Sequence, residues 1–376
     1  MTRKIFILTI FLNLGTAFAA GPHVDRVSEI ALYPSALANP SYISGSNSEQ
    51  SNLYFFANTR FTLSLGDSTF EIQPELRALQ SDEPLGPEMR AGVRAPARLM
   101  DLHKKLDSGR KNESTLDLER LNFLYRVSGT QLSVGRKPVS LGVLSVFPVW
   151  NKFSRPLMTD YGPLRTFNQD QVSMRVQRGE WLIEAMDIEE RDARAAGATR
   201  VAQLSWFGDG LELHAIGGEW WQSGAFGLAL VKDAGGTSLK LEEISFSGDG
   251  AQIGLGAERA FTEKLSALTE FLYLESGASY KRDYFFLTPS RFRPLSARAY
   301  AFGRVEYKPG PLWIVQAGDL VNLVDSSQLL NLKAIYSAGN DFELTGEFRL
   351  PAGGDDGELS RHFVPTQVLF GARYDF

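Results

Sequence analysis

The side chains of this sequence that could carry out a reaction are few and widely spaced. Four histidines, His23, His103, His214 and His362, are too scattered to share one metal ion, and there is no cysteine. The lack of thiols excludes a disulfide framework, thiolate metal sites, a thiol nucleophile and a lipid-modified N-terminal Cys. A Ser/His hydrolase would need one of these histidines as its general base. His214 lies two residues from Glu212, so on a strand the two side chains share a face and can touch. No Gly-x-Ser-x-Gly elbow precedes it, and no serine is singled out by spacing. His214 therefore reads as a wall residue. No catalytic residue, metal or cofactor is expected.

A second constellation is electrostatic. The stretch from Arg136 to Phe167 gathers Arg136, Lys137, Lys152, Arg155 and Arg165 against Asp160 alone, with Trp150, Phe153 and Tyr161 as stacking surfaces. In a water-filled passage with low-dielectric walls, such a loop would focus the field and favour anions. Rings beside charges suit sugars as well. A blander reading turns these cations outward, to lipopolysaccharide phosphates or to solvent. Elsewhere the charges form a mixed ladder: Arg120, Arg126, Arg175, Arg298, Arg304, Lys333, Arg349 and Arg373, with Glu184, Glu270, Glu306, Glu343 and Glu347. Opposite signs on neighbouring strands can pair across one face, which stiffens a wall before it selects a solute. Lys281 to Phe286 and Arg291 form an aromatic, basic loop that could line a mouth. The net charge of −5 gives no support to nucleic-acid binding.

The elements that must position these residues are strands. Apolar residues alternate with polar ones in Leu121, Phe123, Tyr125 and Val127, in Val172, Met174 and Val176, in Phe342, Leu344, Gly346, Phe348 and Leu350, and in Val368, Phe370, Ala372, Tyr374 and Phe376. Side chains alternate faces along a strand, so each segment has one greasy and one polar side. Short turns such as Gly66-Asp67-Ser68, Ser128-Gly129-Thr130 and Gly208-Asp209-Gly210 recur between them. Longer connections are expected over roughly 80–116, 136–168, 189–198, 275–296 and 351–366. Leu99 to Leu106 is the one modest helical candidate. The count is about 17 clear segments from Leu53 on, with one more within Val24–Leu32.

Residues 1–19 are an address. Arg3 and Lys4 precede an apolar run that ends in Ala17-Phe18-Ala19-Ala20, as in a cleaved signal peptide. No later run approaches the ~18 apolar residues of a spanning helix. Residues 20–50 form a segment of uncertain structure, and 51–376 a single β-domain.

A soluble sandwich or propeller also alternates, but a sandwich of 376 residues would need several cores and linkers, and neither a composition break nor a repeat is present. Aromatics beside the short turns (Trp181, Trp206-Phe207, Tyr307, Trp313, Phe342) suit a lipid–water boundary. The expected fold is all-β: a transmembrane antiparallel up-and-down β-barrel of about 18 strands, with 16 as the alternative. Closure removes both sheet edges, which hydrocarbon demands. At that size side chains cannot fill the interior, so it holds water.

The terminal segment Leu369 to Phe376, with Phe370, Tyr374 and Phe376 at alternate positions, resembles the C-terminal recognition strand of Gram-negative outer-membrane proteins. That resemblance implies the barrel-assembly machinery as a partner. A second stretch, Val134-Gly135-Arg136-Lys137-Pro138-Val139 with Gly142, Phe147-Pro148, Phe153 and Pro156, resembles porin-like barrels of the alginate-export and phosphate-selective porin families. It departs from their pattern at Asn151-Lys152. It implies a loop folded against the inner wall. The expected function is a bacterial outer-membrane channel for passive diffusion of small hydrophilic solutes, with anions as the candidate class, and not an enzyme. An adhesive or structural barrel, or a barrel hydrolase, is the alternative. Outer-membrane lipid and lipopolysaccharide are the expected surroundings, and a homo-oligomer is open to it by analogy of fold alone.

Overall fold

The computed structural model describes residues 24–38, 49–85, 100, 102–153, 168–192, 195–286, 295–339, 341–354, 356–360, 364 and 366–375. The described strands are β1 (Val24–Ala38), β2 (Glu49–Leu65), β3 (Ser68–Ser81), β4 (His103–Ser108), β5 (Asn112–Val127), β6 (Thr130–Lys137), β7 (Gln169–Arg178), β8 (Trp181–Asp192), β9 (Ala195–Gly208) and β10 (Leu211–Trp220). They continue as β11 (Ser223–Asp233), β12 (Thr237–Phe246), β13 (Gly250–Ala260), β14 (Leu265–Leu274), β15 (Ala299–Gly310), β16 (Trp313–Asn322), β17 (Gln328–Ser337), β18 (Phe342–Ala352) and β19 (Thr366–Asp375). Each pairs antiparallel with its neighbour, and β1 pairs with both β2 and β19, so the sheet closes on itself. β4 lies outside the sequential ring, which leaves a closed antiparallel barrel of 18 strands. The strand expected within Val24–Leu32 is β1, the closing seam.

Register sorts the side chains as the alternation predicts. Phe123, Val134 and Val172 lie side by side in adjoining strands and are about half exposed on the outside. Phe370 and Tyr374 also face outward. Trp181, Tyr307, Trp313, Phe342 and Tyr374 are exposed beside the short turns, and Trp313 stacks on Tyr336 with centroids 4.7 Å apart. Phe207 departs from this belt: it points inward and meets the His214 ring edge-on. The hairpins close tightly because Ser128 and Gly129 take φ of 47° and 78°, the left-handed pair that a two-residue turn requires.

Two local expectations are corrected. His103–Ser108, which overlaps the stretch Leu99 to Leu106 read as a helix, is a strand paired with Asp117 to Glu113 of β5. Above Leu121 the β5 edge has no partner from β6, and the unpaired backbone outweighs a weak helical preference. Of the connection expected over roughly 189–198, the described residues 189–192 and 195–198 are strand. β8 and β9 stay paired from Glu189↔Ala198 to Asp192↔Ala195, because Ala195 to Ala198 carry nothing bulky that would part the ladder.

Proline marks the irregularities. The β3–β5 register shifts between Gln73 and Pro74, and the β1–β19 pairing skips Tyr33 and Pro34, where the ring nitrogen has no hydrogen to donate.

Candidate functional site: the inward loop and the wall opposite

β6 leaves the sheet at Lys137, and β7 begins at Gln169. Residues 138–153 of this connection lie against β12, β13 and β14 on the far wall. Two wall carboxylates hold them. Glu242 accepts the backbone N–H groups of Val143 (2.6 Å), Leu144 (3.1 Å) and Trp150 (2.6 Å). Glu270 accepts those of Ser145 (2.7 Å), Val146 (2.9 Å) and Phe147 (2.8 Å). Six amides that leave β structure are thus satisfied by two side chains, each a charge-assisted acceptor. The Trp150 indole also donates to the Glu243 carbonyl, 2.7 Å away.

Glycines make the seat. A Cβ at Gly254 would lie 2.2 Å from Leu144 Cδ1, and one at Gly227 would lie 2.7 Å from Trp150 Nε1. Gly142 takes φ +84° and brings its backbone against the Glu242 carboxylate. Around the seat the lumen is apolar. Leu141, Phe147, Val149, Trp150 and Phe153 pack into one cluster with inward-facing Met186, Ile188, Ile216, Trp220, Ile244 and Phe246. The interior is therefore partly filled, where barrel size alone predicts only water. A faint signal was present: along the inward positions of β8, polar Glu184 is followed by apolar Met186 and Ile188, the two that meet the loop. Glu242, which the sequence reading passed over, is an inward acid at the centre of this greasy face.

The predicted constriction residues separate. Trp150 is fully buried. Lys152 turns back to the wall, with Nζ 2.5 Å from Gln252 Oε1 and 5.5 Å from the centroid of the Phe246 ring. Lys137 faces the lumen and donates to Ser173 Oγ at 2.6 Å. Arg155, Asp160, Tyr161 and Arg165 lie outside the described residues.

Arg136 is fully buried where β6 ends and β4 takes over the β5 edge. It pairs with Asp170 at 2.8 Å and with Asp117 at 3.4 Å, and it donates to the carbonyls of Leu118 (2.7 Å) and Met100. Asn168 donates to the Glu119 carbonyl at 3.0 Å. These two side chains cap strand carbonyls at the break in the ladder. Nearby Arg77 binds Glu75, Asp117 and Glu119, also buried.

The opposite wall, β17 to β19 and β1 to β7, is mostly polar, apart from a small buried apolar cluster of Ala31, Tyr54, Phe56 and Leu79 on β1 to β3, with Leu85 just beyond β3. Arg120 pairs with Glu71 at 3.3 Å, Arg349 with Glu347 at 2.5 Å, and Arg373 with Asp375 at 3.2 Å and Glu343 at 3.8 Å. Arg126, Arg175 and Lys333 of the predicted ladder, and Arg60, which the sequence reading did not single out, face the lumen with no ion pair among the described residues. Arg304 on β15 does the same at the edge of this wall. Glu306 binds Lys308 at 3.4 Å, and Arg298 reaches the Gly277 carbonyl at 3.4 Å. Glu270 serves the loop instead of the ladder.

Three loops at the other end from the short turns are tied together. Asp325 accepts the N–H groups of Ser327 (2.7 Å) and Glu358 (2.8 Å), while Glu358 accepts those of Ser296 (2.6 Å) and Asn322 Nδ2 (2.9 Å). Burial pushes the Glu358 carboxyl above its usual range, and it raises the Tyr284 hydroxyl in the same cluster. The basic loop contributes a 3-10 helix, Lys281–Phe286, whose Lys281 pairs with Asp356 at 2.5 Å.

His214 does contact Glu212, at 3.5 Å, and its Nδ1 lies 2.8 Å from Ser205 Oγ. Ser205 is only 1% exposed, so no substrate carbonyl can reach its hydroxyl. Among the described residues no group of three His, Cys, Asp or Glu side chains could hold a metal.

No family model matches the chain, and no curated protein matches it. Among solved structures it is similar to OccK8 (OprE) of Pseudomonas aeruginosa, at 10% identity and a TM-score of 0.55, over 94% of this chain and 98% of that one. It is also similar to a triple mutant of the Rhodopseudomonas blastica porin, at 12% identity and a TM-score of 0.47, over 94% and 100% of the two chains. The first likeness concerns fold, and it agrees with the closed register above: the chain is a porin-like antiparallel β-barrel.

Proposed function

We propose that the protein is a bacterial outer-membrane channel through which small hydrophilic solutes diffuse passively, with a preference for anions. One observation carries this reading: a loop crosses the lumen and is pinned by Glu242 and Glu270 to one wall, while the facing wall keeps unpaired cations. The passage is then a half-lumen between loop 138–153 and β17–β7. Arg60, Arg126, Arg175, Arg304 and Lys333 set its potential, and Glu184 is the acid that partly offsets Arg175 across the β7–β8 ladder. Lys137 extends the cationic side. Trp150 and Lys152 shape the constriction by holding the loop, Arg136 by fixing the strand ends at its root, and Arg155, Asp160, Tyr161 and Arg165 are candidates for its selectivity. The outward apolar face supports a membrane location, because charges on such a face would be expelled from hydrocarbon.

The buried Ser205 supports a non-enzymatic barrel. The export signal, the assembly machinery acting on the Phe370–Tyr374–Phe376 strand, contact with lipopolysaccharide and a homo-oligomeric state belong to the same reading. Planar-bilayer recording on the purified protein tests it. Discrete ohmic steps with an anion-directed reversal potential are expected. Electrical silence from barrels that retain heat-modifiable mobility would favour an adhesive or structural role.

A further inference from the structure

Two charges of opposite sign interrupt the apolar outer face, one on β9 and one on β12. Glu243 points away from the lumen, in register with exposed Leu228 and two residues from exposed Leu241. Its carboxyl has no partner among the described residues, although an ionisable group among lipid-facing side chains is costly and calls for one. Arg200 lies on the outward face of β9. It pairs with Asp187 at 3.5 Å, yet its side chain is 66% exposed. A guanidinium carries five donors, so it can bind a second carboxylate.

Between these charges the surface has a hole and a knob. Ala185, Ala202 and Gly217 stand side by side in register on β8, β9 and β10 and floor a depression of about 540 Å³. Phe226 stands opposite Gly217 on β11 and is 55% exposed. Register fixes how the four positions are spaced. With strands about 4.8 Å apart, about 3.4 Å per residue and a tilt of about 40°, Arg200 and Glu243 fall at nearly the same height, roughly 20 Å apart around the wall. Gly217 and Phe226 straddle the vertical line midway between them.

We propose that this face, β8 to β12, is the contact of a two-fold dimer of the chain, with the axis along the membrane normal between β10 and β11. The parallel arrangement rests on the membrane placement proposed above. A half-turn about that line sets Phe226 of one copy over the Gly217 depression of the other. The same rotation sets Arg200 of one copy opposite Glu243 of the other, and each contact occurs twice. Leu228 comes over Ala202 in the same way. Two convex walls diverge away from the axis, and the side chains are sorted to match. A ring and a glycine lie beside the line, and long charged side chains lie on the flanks, where the gap is widest. An acyl chain could fill the depression, but it would leave Glu243 unanswered.

The test is cross-linking in native membranes, followed by native mass spectrometry of the purified protein. The chain has no cysteine, so Ala215→Cys, outward on β10 beside the axis, supplies one thiol per chain. A short bis-maleimide should join two chains through it, while Leu332→Cys on the outer face of β17 should stay single. Arg200→Glu or Glu243→Arg should reduce the dimer several-fold in either measurement. A chain carrying both should recover it, because the two-fold contact reunites the exchanged charges. Phe226→Ala should weaken the dimer as well, and it decides the matter even if Glu243→Arg fails to insert. Single-channel conductance should be unchanged by Arg200→Glu, which does not touch the lumen, so this inference can fail while the channel reading stands. Monomers in both measurements, or an oligomer indifferent to Phe226→Ala and Arg200→Glu, would overturn it. So would inserted barrels in which the charge exchange does not restore the dimer, or equal cross-linking through Leu332→Cys. Lipid held by monomers and lost on Gly217→Leu would make the depression a lipid seat instead.

Discussion

The two halves of this barrel follow one strand pattern outside and two different ones inside. From β8 to β16 the loop-end half of the lumen face is apolar, broken by glycines and by two acids that bind backbone. From β17 through β7 the lumen face is mostly charged: buried ion pairs around Arg77 and Arg349 and a small apolar cluster at Tyr54, Phe56 and Leu79 stand beside cations without an ion pair among the described residues. A barrel of 18 strands encloses more space than its wall can fill. Here one half is filled by a piece of the same chain, and the other half is the passage that the proposed function requires. The difference shows that an inward charge has two uses, anchoring a loop or setting a field, and that its neighbours on the same face tell which. Glu270 sits between Leu268 and Leu272 and anchors, whereas Arg175 sits between Ser173 and Gln177 and faces water.

The largest effect is expected from breaking the filled half. Glu242→Ala with Glu270→Ala leaves six loop amides without acceptors and should free the loop. Single-channel conductance should rise several-fold or become noisy, and an unchanged trace would mean that the loop does not limit the passage. Gly254→Leu should act in the same direction by driving Leu144 off its seat.

Reversing charge on the open half comes next. Arg175→Glu with Lys333→Glu should lower the anion-to-cation permeability ratio by roughly an order of magnitude, through the focused field of a low-dielectric channel. Reversal potentials across a salt gradient measure this, and Lys152→Glu should move them far less, because Lys152 is turned to the wall.

Arg136→Ala tests the root of the loop within the polar half. It leaves the buried Asp170 without its cation and Asp117 with Arg77 as its remaining described cation, at a cost of about 3–5 kcal/mol. The heat-modifiable transition should shift to lower temperature, with selectivity retained in barrels that fold.

The smallest effect concerns the cap of loops. The folded Glu358 carboxyl is raised by burial above the unfolded value of about 4.3. Its contribution to stability is complete below that unfolded value and is lost as pH rises through the raised one. Proteolytic protection of 275–298 and 353–365 should therefore decline with rising pH, and Glu358→Gln should flatten the dependence.

The outer surface was legible because period two leaves no choice: once Phe370 and Tyr374 face lipid, Arg373 and Asp375 must face the lumen. The turns were legible for a similar local reason, as with Ser128-Gly129. Glu242 was not legible as an anchor, since its partners are amides 92–99 residues away. The Leu99–Leu106 stretch misled because a short helical pattern does not record that β5 has an open edge above it.

Alternation along the chain thus determined, unaided, that this protein is a closed antiparallel sheet with a greasy exterior, because pleat geometry is a nearest-neighbour property. Tertiary structure alone decided that Arg136 caps a gap in the sheet, that Lys152 turns from the lumen, and that one wall carries the loop while the other keeps its cations. Those outcomes depend on which strands closure brings face to face across the lumen, and no local pattern encodes that distance.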